Sequence, residues 1–127
     1  MASIVLDASA MLAVLNGETG TGTVIAALGD AIISSVNYSE VISKLVEVGT
    51  PPALARKALQ QLGIGIIAFD TELAERTGAL RAQTKHLGLS LGDRACLSLA
   101  ERERLPALTG DRRWADLKSA VEVRLFR

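Results

Sequence analysis

Aromatic residues are scarce in this chain: one tryptophan, one tyrosine and two phenylalanines among 127 residues. Few faces are therefore available on which planar ligands or bases would stack. There is one cysteine, Cys96. It excludes an internal disulfide and points to a reducing, cytoplasmic setting. No base pairs with it, so it reads as core packing beside Leu99 and Ala100. One histidine, His86, rules out acid–base catalysis by a histidine pair and reads as a solvated residue near a helix end. No apolar run reaches the roughly 18 residues of a membrane span. The opening Met-Ala-Ser-Ile-Val-Leu-Asp has no basic start and reaches an acid at Asp7, so no signal peptide is expected. Net charge is absent as well, with 14 basic and 14 acidic residues.

That neutrality hides an asymmetry. Residues 1–75 carry eight acids against three bases, and residues 76–127 carry 11 bases against six acids. A short chain can show this by chance, but it also suits an acidic pocket with a basic rim. Hydrophobic residues make up 49% of the chain and mean hydropathy is +0.30, enough for a core. The length suits a single domain over 1–127.

The apolar pattern alternates between short runs and helical spacing. Ser3–Leu6 reads as a strand, followed by a helix from about Ser9 to Leu15 that stops at Asn16-Gly17. A short helix covers Thr23–Leu28, and Ala31–Ser34 is the second strand. The next helix starts near Asn37, with Val41, Leu45 and Val48 on one face, and ends at Gly49. Pro51-Pro52 opens another, with Ala55, Ala58, Leu59 and Leu62 on one side. Ile64–Phe69 is a third strand. A helix from Asp70 places Leu73, Thr77, Leu80 and Leu87 in register. Another helix covers Asp93–Glu103, and strands follow at Ala107–Thr109 and Val121–Phe126. The first four strands are apolar runs of the kind covered on both faces. The expected fold is α/β: a three-layer α/β/α sandwich around a central, mostly parallel five-stranded sheet.

In such sheets ligands sit beyond the carboxyl ends of the strands. Asp7 and Asp111 fall there, just after the first and fourth strands. Glu40 and Asp93 fall at the starts of helices. Each has an ordinary reading. Asp7 can lead into a helix capped by Ser9. Asn37–Glu40 and Ser90–Asp93 both fit capping boxes, and Asp111 can be a turn residue. Together they mean more. Two such charges about 5 Å apart, at an effective dielectric near 20, repel by roughly 3 kcal/mol. A hard divalent cation removes that cost, and magnesium or manganese prefers carboxylate and water oxygens. Gly20-Thr21-Gly22 is a poor dinucleotide loop, because it follows a helix and Ile25 stands where a third glycine belongs.

Four blocks carry a resemblance: Val5-Leu6-Asp7-Ala8-Ser9, Ser35-Val36-Asn37-Tyr38-Ser39-Glu40-Val41, Leu91-Gly92-Asp93-Arg94, and Leu108-Thr109-Gly110-Asp111-Arg112-Arg113-Trp114. In order and spacing they resemble the signature of PIN-domain nucleases. Val121–Leu125 is similar to the closing strand of the VapC branch, the toxins of toxin–antitoxin pairs. The resemblance implies a magnesium- or manganese-dependent endoribonuclease that hydrolyses RNA phosphodiester bonds and leaves 5′-phosphate and 3′-hydroxyl ends. By the same likeness Asp7 and Asp93 are metal ligands, and Glu40 and Asp111 complete the site, directly or through water. Ser9 and Thr109 match hydroxyls that orient carboxylates. Asn37 is expected to cap its helix and orient Glu40, and Asp116 is a weaker fifth acid. Arg81, Lys85, Arg94, Arg112 and Arg113 are candidates to hold RNA phosphates, with Arg94 and Arg112 preferred beside the acids. The likeness also implies a homodimer, inhibited by a small VapB-like antitoxin, with no membrane attachment. The rival enzyme is a metal-dependent phosphatase, which needs a second aspartate two residues after the first; position 9 is a serine. A receiver-like switch needs paired acids and a strand-end lysine, both missing. A PIN-fold binding module without catalysis fits poorly with four intact acids.

Overall fold

The computed structural model describes residues 1–127. Five strands form the centre: β1 (Ile4–Leu6), β2 (Ala31–Ser34), β3 (Gly65–Ile67), β4 (Ala107–Thr109) and β5 (Val123–Leu125). Around them lie α1 (Ala8–Leu15), α2 (Gly22–Ala27), α3 (Ser35–Glu47), α4 (Pro52–Gln60), α5 (Thr71–Ala79), α6 (Arg81–Thr84) and α7 (Leu91–Glu103). The sheet order is β3-β2-β1-β4-β5, and all four pairings are parallel. The expected sheet was mostly parallel; the observed one is wholly so.

Alternate strand residues point to opposite faces, and here each face has its own core. Ile4 and Leu6 of β1, Ala31 and Ile33 of β2, and Leu108 of β4 pack with Met11, Val24, Val41 and Leu59 under α1 to α4. Val5, Ile32 and Ala107 face the other way, onto Leu73, Leu97, Leu99 and Trp114 of α5, α7 and the turn after β4. Two cores on two faces make the three layers. Each fully buried side chain of this size contributes about 1.5–3 kcal/mol.

Some boundaries differ from those the pattern suggests. Asp7, not Ser9, caps α1, accepting from the Ala10 amide. Ser34 caps α3 through the Val36 amide, three residues before Asn37, the expected cap. The long helix after Asp70 breaks at Leu80 into α5 and α6. Strands three and five are three residues each, shorter than their apolar runs. β3 lies at the sheet edge with Gly65 and Ile66 exposed, so it is not covered on both faces. Val48 is 80% exposed and leaves the face it was assigned to. Cys96 is fully buried in the second core, and His86 is exposed.

The chain builds outward from β1 through β2 to β3, then crosses to β4 on the other side of β1. The β1/β4 boundary is thus where strand order reverses, the usual ligand position in an open parallel sheet.

Candidate active site

The β1–β4 register builds the first part of the site. Leu6 lies opposite Leu108, so the next residues, Asp7 just past the end of β1 and Thr109 at the end of β4, lie side by side. Asp7 is 5% exposed. One oxygen accepts from Ser9 Oγ at 2.7 Å and the Ala10 amide at 3.0 Å, and the other from Thr109 Oγ1 at 2.5 Å. Both hydroxyls are used twice. Thr109 Oγ1 accepts from the Asp111 amide at 3.0 Å, and Ser9 Oγ accepts from the Gly110 amide at 3.0 Å. Ser9 and Thr109 therefore tie Asp7 to the turn that carries Asp111.

Burial pushes the Asp7 carboxyl up to about 6, against the hydrogen bonds from Thr109, Ser9 and Ala10 that lower it; the Asp93 charge raises it further. Loss of water thus outweighs three donors.

The helix starts supply the second part. Asp93 is the third residue of α7 and closes a capping box: it accepts from the Ser90 amide at 2.9 Å, and Ser90 Oγ accepts from the Asp93 amide at 3.2 Å. Asn37 does not cap α3. Its side chain is 1% exposed, and Nδ2 donates to Glu40 Oε1 at 2.8 Å and to the Gly92 carbonyl at 2.9 Å. Those two acceptors fix which way the amide points and leave Asn37 Oδ1 buried without a partner. Asn37 thus orients Glu40, as expected of it, and also clamps the start of α3 to the start of α7.

Gly92 was not singled out by the sequence patterns, yet it makes room for Glu40. A Cβ there would stand 2.3 Å from Glu40 Oε1 and 2.7 Å from Oε2. The only cue was a glycine directly before an acid at a helix start.

Arg113 joins the last two acids. Its Nε and Nη2 donate to the Asp111 carboxylate at 2.6–3.1 Å, and Nη2 lies 3.7 Å from Asp93 Oδ2. The Arg113 guanidinium holds the Asp111 carboxyl below the usual carboxylate range, and Asp111 raises Arg113 in return. Of the two preferred phosphate contacts, Arg94 turns inward and donates to the Thr77 carbonyl at 3.0 Å, which corrects its placement on the rim. Arg112 is exposed. Asp116 is exposed and pairs with none of the four acids.

The structure thus gathers Asp7, Glu40, Asp93 and Asp111 at one end of the sheet. The charges of Asp7, Asp93 and Glu40 all act on the Cys96 thiol beneath them, which burial above all pushes well up. No three of these groups close on a single point at ligating distance, and Arg113 lies between Asp93 and Asp111. The donor set still fits a hard divalent ion: four carboxylates, with the unpartnered Asn37 Oδ1 buried beside them. The hollow lined by Ala100, Arg104, Pro106 and Val121 lies at the other, amino-terminal end of β4. None of the four acids lines a hollow of the molecule; the Asp93 and Asp111 side chains are 21% and 23% exposed, whereas Asp7 is buried.

Compared by sequence, no curated protein matches the chain. Compared by structure, several solved proteins do. DNA-bound VapBC from Salmonella typhimurium superposes with a TM-score of 0.78 at 18% identity, over the whole of both chains. VapC20 of Mycobacterium tuberculosis, described as a sarcin–ricin loop cleaving toxin, gives 0.73 at 17% identity, over 94% of this chain and 99% of that one. A toxin–antitoxin complex from Klebsiella pneumoniae gives 0.72 at 21% identity, over 94% and 99%. Identities this low speak to the fold alone. The model of the PIN domain, by contrast, matches the sequence itself from residue 4 to residue 119, spanning all four acids, and the chain belongs to the PIN domain family.

Proposed function

We propose that residues 1–127 act as one PIN domain, a metal-dependent endoribonuclease that is the VapC-type toxin of a toxin–antitoxin pair. The observation that carries this reading is the unbroken series of contacts joining four acids from distant parts of the chain. Thr109 and Ser9 link Asp7 to the Asp111 turn, Arg113 links Asp111 to Asp93, and Asn37 with Gly92 links Asp93's helix to Glu40. Solved neighbours described as a toxin–antitoxin complex and as a sarcin–ricin loop cleaving toxin support the same reading.

In this reading Asp7, Asp93, Glu40 and Asp111 hold magnesium or manganese. Such an ion, when bound, supplies charge neutralisation and a water activated near neutral pH. The chain's own residues do the rest. Thr109 and Ser9 fix both oxygens of Asp7. Asn37 stops Glu40 from rotating, and the α7 amino terminus, with its positive dipole end, steadies Asp93. Arg112 stands exposed beside Asp111, where it would take a neighbouring phosphate of the strand. Water adds to phosphorus, the bond to the 3′ oxygen breaks, and that oxygen leaves as a hydroxyl. An open site suits an extended or looped polymer rather than a small ester. Partners are a second copy of the chain and a small VapB-like antitoxin, in the cytoplasm; no helix is long and apolar enough to cross a membrane.

The phosphatase alternative needs an acid two residues after Asp7. Ser9 stands there, and its hydroxyl is committed to Asp7 and the Gly110 amide. End-labelled RNAs incubated with manganese or with chelator test the proposal. Manganese-dependent products with 5′-phosphate ends are expected, with no turnover of small phosphate esters. Intact RNA under all conditions favours a non-catalytic PIN module.

A further inference from the structure

The four acids have one cationic partner within the chain, Arg113. Its backbone amide and Nε donate to Asp111 Oδ1 at 3.0 Å each, and Nη2 donates to Oδ2 at 2.6 Å. Nη1 donates to the carbonyls of Leu87 and Gly88 at 3.1 and 3.2 Å. Both Asp111 oxygens thus face donors, and Asp93 is within reach of the same guanidinium at 3.7 Å. Gly88 sits in the turn with φ +66°, a conformation that suits glycine, and its carbonyl is one of the two that Nη1 meets. Arg113 therefore occupies the space between two acids that otherwise repel each other.

We propose that Arg113 is a built-in counter-ion of the acidic site, which holds Asp111 in the cation-free protein and must release it before a divalent ion can take Asp93 and Asp111 together. This rests on the metal-site reading above. The guanidinium fork, with the Arg113 amide, takes the lone pairs of Asp111 that face the gap, leaving only outward ones, and two cations cannot share that gap without strong repulsion. The Arg113 side chain is 51% exposed, and an ion pair that exposed is weak, so the arm can be displaced. Release also frees the Leu87 and Gly88 carbonyls, three and two residues before Ser90, whose cap holds Asp93. Loss of the arm and capture of an ion are thereby coupled at both acids.

Isothermal titration of manganese into the full chain tests this. The variants are R113Q, R113K, and R112Q as a control for losing one nearby positive charge. R113Q should bind manganese at least fivefold more tightly than wild type, and R112Q should stay within twofold. R113K keeps the charge but loses the fork, and should tighten at least twofold; it also serves if R113Q does not fold. Equal affinity in wild type, R113Q and R113K overturns the counter-ion while leaving the metal site standing. Equal tightening by R113Q and R112Q overturns it too, since the effect is then general charge. No manganese binding by wild type or any variant overturns the metal reading itself, and the counter-ion with it.

Discussion

Replacing Gly92 with alanine separates the folding role of α7 from the seating of Glu40. The new Cβ would stand 2.3 Å from Glu40 Oε1, 2.6 Å from Cδ and 2.7 Å from Oε2, so something must move. The atoms it meets are the end of a flexible side chain, and the carboxylate of Glu40 will rotate away rather than the helices part. That forfeits the 2.8 Å bond from Asn37, a loss of about 1 kcal/mol. In the opposite sense, alanine is favoured over glycine in a helix by about 0.8–1 kcal/mol. The two nearly cancel, so G92A should melt within a few degrees of wild type. Cleavage should nevertheless fall at least tenfold, because a displaced Glu40 no longer meets the other acids. The assay is manganese-dependent cleavage of an end-labelled RNA, run beside thermal melting. A second background sharpens it. With Glu40 already changed to alanine the obstruction is gone, and G92A should then add about 1 kcal/mol, a rise of about 3–5 °C for a domain of this size. Full activity in G92A, or equal destabilisation in both backgrounds, would refute the reasoning.

Two further outcomes follow from the same geometry. The Asp7 carboxyl rises from 3.8 to about 6 on folding, so the folded state holds that proton more tightly than the unfolded one. Its contribution is fully present below about pH 4 and is lost as pH rises to 6, about 3 kcal/mol at ~1.36 kcal/mol per unit. Asp70 and Asp111 are lowered on folding, so they act below pH 4 with the opposite sign. Metal-free urea midpoints should therefore decline between pH 4 and 6, and D7N should flatten that decline; an identical slope in D7N would count against the burial argument. In D93N the amide oxygen can still accept from the Ser90 amide, and the lost helix-terminal charge costs only about 0.3–1 kcal/mol. Cleavage should vanish while the metal-free melting temperature stays within a few degrees; a collapse in stability would recast Asp93 as a purely structural cap.

Much of the fold was legible because burial on two faces writes itself into short apolar runs. Ile4–Leu6, Ala31–Ser34 and Ala107–Thr109 are such runs, and the sheet is built on them. Where the pattern misled, a local signal was outranked by a nearer or better one. Asn37 looks like a cap, but Ser34 lies first at the strand end and accepts from the Val36 amide. Asn37 is then free to reach across to Gly92, 55 residues away in sequence. Ile64–Phe69 is apolar enough for a buried strand, yet β3 has a neighbour on one side only, so half its apolar residues meet water. Arg94 follows an acid in sequence, but one helical step turns it about 100° from Asp93, toward α5 and the Thr77 carbonyl.

The sequence by itself determined the layers, because periodicity is a local property of the chain, and it nominated four acids through short blocks that resemble the PIN signature. Only the tertiary structure decided how those acids are held. Thr109 fastening Asp7 across 102 residues, Gly92 yielding space to Glu40, and Arg113 standing between Asp93 and Asp111 are contacts between distant segments. Such contacts are set by strand register and helix approach, and neither leaves a mark in the composition of either segment alone.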